Sequence, residues 1–86
     1  MNVVFQWDAE DDADGNVHHI AENFVTIDEA EELILRLDRS DIETSDESGL
    51  PLVRGYLASG RYLVVIFDFL DRDWVRVVTA FEPSES

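Results

Sequence analysis

The side chains able to carry chemistry in this chain are six arginines, two adjacent histidines and twenty carboxylates. There is no cysteine, which excludes disulfides, thiolate metal sites and cysteine nucleophiles. His18 and His19 are neighbours, and neighbours on a helix diverge by about 100°, so they cannot share one metal as an i, i+4 pair would. The acidic run 8–15 (DAEDDADG) offers Asp8, Asp12 and Asp14 as oxygen ligands. It lacks the D-x-D-x-D-G spacing and trailing glutamate of a calcium loop and reads as a solvated connection. No metal and no cofactor are expected.

The charge balance narrows the partners. Every basic residue is an arginine, none is a lysine, and the formal net charge is -14. The resulting negative potential opposes approach to nucleic acid or to an anionic membrane. Two readings of the acid excess stand: solubility, in a salty cytoplasm or under a genome composition that disfavours lysine, or a surface made for a basic partner protein. Eighty-six residues suffice for one domain with one modest core, which argues against a large enclosed active site. The opening MNVVFQWDAE has neither the basic segment nor the apolar run of a secretory signal. No stretch approaches the roughly 20 apolar residues of a membrane helix. A soluble cytoplasmic protein without membrane contact is expected.

The element that must position everything else is 61–70 (RYLVVIFDFL), the one stretch apolar on both faces of a strand. Leu63, Val65, Phe67 and Phe69 alternate with Tyr62, Val64, Ile66 and Leu70, so a central strand covered on both sides is predicted. Before it, 2–7 reads as a strand with Val3, Phe5 and Trp7 on one side. Asn16 is a candidate helix cap, followed by Val17, Ile20, Ala21 and Phe24 on one arc; His18 borders that arc and His19 lies nearly opposite. Thr26 and Glu29 have the capping-box spacing, opening a second helix whose stripe is Ile27, Ala30, Leu33, Ile34 and Leu37. The acidic segment 38–49 reads as a loop with local pairing around Ile42. Strands follow at 50–59, where Gly55 marks a bulge or a close contact, and at 74–81. The order β-α-α-β-β-β implies an α+β domain spanning 1–86. Its expected form is a four-stranded antiparallel sheet with both helices on one face, where Phe24, Ile34 and Leu37 meet the central strand.

These elements carry a resemblance along nearly the whole chain. Phe5-Gln6-Trp7-Asp8 matches an opening strand of the form F-x-W-D, and Val25-Thr26-Ile27-Asp28-Glu29-Ala30 matches V-[ST]-F-x-E-A. The run from Gly55 through Gly60-Arg61 to Phe67 is similar to G-x-[ST]-x-x-G-R-x-L-x-V-V-[YF], with Leu57 in place of the Ser/Thr and Ile66 in place of the second Val. Arg76-Val77-Val78-Thr79-Ala80-Phe81 follows R-x-[IV]-[ST]-A-R. Together they resemble the BrnT-type toxins, ribonucleases of RelE-like fold from type II toxin-antitoxin pairs. The chain departs from that pattern where chemistry would sit. Glu22-Asn23-Phe24 replaces the family's Lys-His-Gly, and Phe81 replaces its terminal arginine.

Two functions follow from the resemblance and its departures. The first is a toxin-like domain that has kept the scaffold, lost its catalysis and acts through contacts with an antitoxin-like or other protein partner. The second is an active ribonuclease toxin in which Arg61 and Arg76 contact phosphate and His19, or His18, moves the proton, with RNA as partner in that case alone. For each arginine the competing assignment is an ordinary surface cation; for Arg76 that means snorkelling from the sheet or pairing with Asp68 or Asp71.

Overall fold

The computed structural model describes residues 1–83 of the chain. In chain order the elements are β1 (Val4–Gln6), α1 (Asn16–Glu22), α2 (Ile27–Arg36), a 3-10 turn (Arg39–Asp41), β2 (Glu43–Thr44), β3 (Pro51–Tyr56), β4 (Tyr62–Asp71) and β5 (Trp74–Phe81). The α+β class and the two helices after the first strand agree with the sequence, but the sheet differs in two respects. It has five strands, in the order β1-β5-β4-β3-β2, and it is mixed: β1 runs parallel to β5, and all other pairs are antiparallel.

Both differences come from short edge strands. β2 is two residues, Glu43 opposite Leu52 and Thr44 opposite Pro51, inside the segment read as a loop. β1 is three residues whose alternation fixes which side chains are buried but not which neighbour it joins or in which direction. Its direction follows from the route of the chain, since it must leave the sheet where the acidic loop can deliver α1 onto β5.

One face of the sheet holds the core. Val53, Val65 and Ala80 lie side by side across three strands, as do Phe67 with Val77 and Phe69 with Val75, and the first five of these and Val75 are fully buried. Val77 and Ala80 are three apart yet face the same way because the pairing shifts between them, leaving Val78 as an extra residue, the local effect of a β-bulge. Against this face pack Ile20 of α1 and Ala30, Leu33 and Ile34 of α2. α2 opens as expected: Glu29 N–H donates to Thr26 Oγ1 (3.1 Å) and Thr26 N–H donates to Glu29 Oε1 (3.0 Å). Gly55 is the close contact, because a Cβ there would stand 3.3 Å from Leu33 Cδ1.

Three expectations need correction. β4 is covered by helices on one face only; its Tyr62, Val64 and Ile66 look outward, and among the described residues no helix packs on them. Phe24 does not meet the sheet. α1 stops at Glu22, and its end is a Schellman turn in which Val25 N–H donates to Ile20 O and Phe24 N–H donates to Ala21 O, both at 3.0 Å. That turn requires a left-handed residue at Phe24 (φ 62°), which swings the ring into solvent, 84% exposed, while Val25 and Ile20 close the hydrophobic contact beneath. Asn16 does not cap α1 either. Gly15 is the cap residue, and Asn16 is buried, accepting from Asp8 N–H (2.8 Å) and donating to Gln6 O (3.1 Å).

Candidate functional site

The positions at which the chain departs from the family pattern converge in space. Glu22, Asn23 and Phe24 at the end of α1, Arg61 before β4, and Phe81 with Glu82 at the end of β5 line one open cleft. Three separate segments build it. The Schellman turn places 22–24, the turn closed by Leu57 N–H to Arg61 O (2.8 Å) with Gly60 at φ 93° places Arg61, and the pairing of Val64 with Phe81 sets the end of β5 beside them. Asn23 is tied down, its Nδ2 donating to Ala80 O at 3.1 Å.

Arg61 is the cation of this cleft, and it is engaged. Its Nη1 donates to both carboxylate oxygens of Glu29, at 2.9 and 3.0 Å, and its Nε lies 3.6 Å from Glu82 Oε1. Charge-assisted contacts of this kind are the strong class of hydrogen bond, and this one is only about a fifth exposed on the arginine side. Partial burial pushes the Glu29 carboxyl up, but the Thr26 backbone N–H and Arg61 outweigh it and hold the group below the ordinary carboxylate range. Glu29 therefore serves twice, as the capping acid of α2 and as the counter-ion of Arg61. Its second role was not visible from the capping spacing, which explains the acid without any further partner.

Arg76 belongs to a different cluster. On the outward face of β5, opposite Asp68, it sends Nη1 and Nη2 to Asp8 Oδ1 and Oδ2 at 2.9 and 2.7 Å. Asp8 Oδ2 also accepts from Asn16 N–H at 3.0 Å, so this carboxylate supplies from upstream what a capping side chain would supply to α1. The Arg76 guanidinium, followed by the Asn16 N–H, lowers the Asp8 carboxyl to about 2. The same contact raises Arg76. Asp8, closing the F-x-W-D stretch, is thus the residue that joins β1, α1 and β5. The partners offered by sequence proximity, Asp68 and Asp71, are passed over.

The structure does not bring Arg61, Arg76 and His19 into one site. Arg61 adjoins the start of β4 and Arg76 pairs with Asp68 near its other end. Seven residues of strand separate the two positions along β4, about 23 Å at the usual rise, beyond what one phosphate can bridge. His19 is exposed on α1 and lines no part of the cleft. His18 is half-buried, with Nδ1 3.1 Å from Glu22 Oε1. Among the described residues no group of three His, Asp or Glu side chains is placed to hold a metal ion, and no helix is long and apolar enough to cross a membrane.

The other arginines are held in the same manner. Arg36 meets Glu32 (3.3 Å), Arg39 meets Asp73 (3.3 Å) and lies over the Phe69 ring (5.1 Å to its centre), and Arg54 forks onto Glu43. Arg72, in the turn between β4 and β5, has no carboxylate partner among the described residues. Comparison with protein-family models, with curated proteins and with solved structures found no match.

Proposed function

We propose that this chain is a divergent, acidic BrnT-toxin-like domain of RelE-like fold that has lost ribonuclease chemistry and acts through contacts with another protein. The observation that carries the reading is the occupied state of Arg61. Cleaving RNA through its 2'-hydroxyl takes a base, an acid and cations for the phosphate, and each proton-transfer group is worth about 10²- to 10⁴-fold in rate. In the cleft the histidine-like position is Asn23, which cannot titrate near neutral pH and whose amide is donated to Ala80 O. The terminal arginine position is Phe81, and Arg61 faces Glu29 and Glu82 instead of open solvent. A phosphate would have to displace a bidentate carboxylate while approaching a surface with fourteen excess negative charges.

Two helices following the first strand and packed on one face of the sheet, with a run of antiparallel strands after them, support the RelE-like part of this reading. The acid excess supports a protein partner over RNA, since it opposes one and favours a basic example of the other. The test is incubation of the purified protein with total RNA and with translating ribosomes, beside Arg61→Ala, Arg76→Ala and His19→Ala variants. No cleavage above buffer is expected. Cleavage that disappears in any of the variants would refute the loss of catalysis and establish the active ribonuclease toxin in its place.

A further inference from the structure

The outward face of the sheet is apolar where a solvent-facing sheet would be polar. Two rows cross it: Leu52, Ile66 and Thr79 in one, Arg54, Val64 and Phe81 in the next. Tyr56 and Tyr62 extend the surface with their rings edge to face at 4.8 Å. Antiparallel sheets that face water on one side alternate apolar inward with polar outward, and β4 breaks that rule from Tyr62 to Ile66. Among the described residues no helix covers this side; Val64 is buried between its neighbours, while Leu52, Ile66 and Phe81 are half-buried and Tyr56 is exposed. An apolar sheet face that no helix covers, half-buried at its centre and exposed at Tyr56 and Phe24, has the composition of an interaction site.

The charges around the face select what covers it. Beyond the β5 end of the Arg54-Val64-Phe81 row stand Glu82 and Glu22. At the β3 end the segment Glu43–Thr44 and its continuation bring Asp46 and Glu47 against Leu52, Arg54 and Val64. Asp68 is the next outward position of β4 after Ile66. The two arginines on the face offer no positive counterweight, since Arg54 is forked onto Glu43 and Arg76 onto Asp8. A second copy of the chain would bring like charge to like charge, and nucleic acid or an anionic membrane would be repelled. Three strands at about 4.8 Å spacing give a strip about 10 Å wide, the width of one helix. We infer that the outward sheet face, centred on Val64, Ile66 and Phe81 and rimmed by carboxylates, binds an amphipathic helix of a partner protein that carries arginine or lysine on both flanks of an apolar stripe.

This rests on the reading of the chain as a protein-contact domain, and it names the surface and the chemistry of the partner. Phe24 extends the same surface, because it shares the cleft wall with Phe81 and its ring is held in solvent by the left-handed turn. Specificity comes from the pairing of an apolar centre with a charged rim, each of which alone would be indiscriminate.

The experiment uses three synthetic helical peptides of about 18 residues, long enough to form a helix. The first has leucines at i, i+3, i+4 spacing and arginines elsewhere, the second has the arginines replaced by glutamate, and the third has the leucines replaced by glutamine. Titration followed by amide resonances should show the first peptide binding and shifting Val64, Ile66 and Phe81, with the other two weaker by about tenfold or more. Ile66→Gln and Phe81→Gln, each checked for a cooperative melt, should weaken the first peptide by about tenfold as well. Equal binding of the glutamine peptide, shifts confined to the 8–15 loop, or no binding at all would overturn the inference. So would a dimer, seen by sedimentation, that protects the same three resonances. RNA incubated with the same sample separates the two failures: cleavage sinks the non-catalytic reading, whereas absence of both cleavage and peptide binding sinks only the docking surface.

Discussion

Phe24 gives the most direct test of the local structure, because the turn it occupies reverses an ordinary rule about glycine. At an interior helix position, replacing alanine by glycine costs about 0.5 to 1 kcal/mol. At Phe24 the backbone is left-handed, φ 62°. A residue with a Cβ is there penalised by about 1 to 2 kcal/mol relative to the right-handed region, while glycine brings an entropic handicap of about 0.4 to 1 kcal/mol from its freer unfolded chain. The difference favours glycine by about 0.5 to 1 kcal/mol. The clean comparison is Phe24→Gly against Phe24→Ala, since both remove the 84%-exposed ring and differ only at Cβ. Phe24→Gly should melt about 2 to 8 °C above Phe24→Ala in a domain of this size. Ala21→Gly, one turn earlier and exposed within α1, should show the opposite sign. The assay is thermal and urea unfolding of the three variants with the parent. Phe24→Gly no more stable than Phe24→Ala would mean that the end of α1 is not the left-handed turn described, and the reason given for the exposure of Phe24 would fall with it.

Two further outcomes are expected. The Asp8 carboxyl lies at about 2 against an ordinary 3.8, so its contribution to stability is complete above the unfolded value and is lost as pH falls from about 4 through 2; the stability gap between the parent and Asp8→Asn in urea should close over that window. A gap that persists unchanged at pH 2 would show that Asp8 acts without its charge. With a net charge of -14 and exposed carboxylates such as Asp11, Asp12, Asp14, Asp46 and Glu47, melting temperature should rise with sodium chloride up to about 1 M, where the screening length is about 3 Å. A flat or falling curve would mean that the exposed arginine-carboxylate pairs outweigh the repulsion.

What could be read from the chain depended on how local its cause was. The capping box at Thr26 and Glu29, the buried stripe Ala30-Leu33-Ile34, the tight approach at Gly55 and the central strand, found at Tyr62–Asp71 where 61–70 was expected, are all set within a few residues or by periodicity. The role of Asn16 was missed because its partner Asp8 is eight residues upstream, outside the span over which a cap is sought. Phe24 was misassigned because helical phase was extended past Glu22, where a left-handed residue breaks it. The cleft was half legible: the resemblance singled out 22–24, Arg61 and Phe81, but only the sheet order β1-β5-β4-β3-β2 places them on one wall. Nothing local marked Glu29 and Glu82 as the groups that hold Arg61.

The fate of the arginines links the composition to the function. With about three carboxylates for every cation, an arginine on this domain finds an acid within reach before it meets a phosphate, and five of the six do so among the described residues. Each such pair adds little stability where it is exposed, but each removes one cation from the surface seen by a ligand. A ribonuclease needs the opposite arrangement, with cations held by the scaffold and left open toward the substrate. The acid excess therefore changes more than the net charge: it pairs the arginines with carboxylates, so that unpaired carboxylates and apolar side chains make up much of what the domain presents. A surface so composed opposes RNA by its charge and would attract a basic amphipathic helix by the same charge, so the proposed absence of ribonuclease action and the proposed docking of a basic helix rest on a single physical cause.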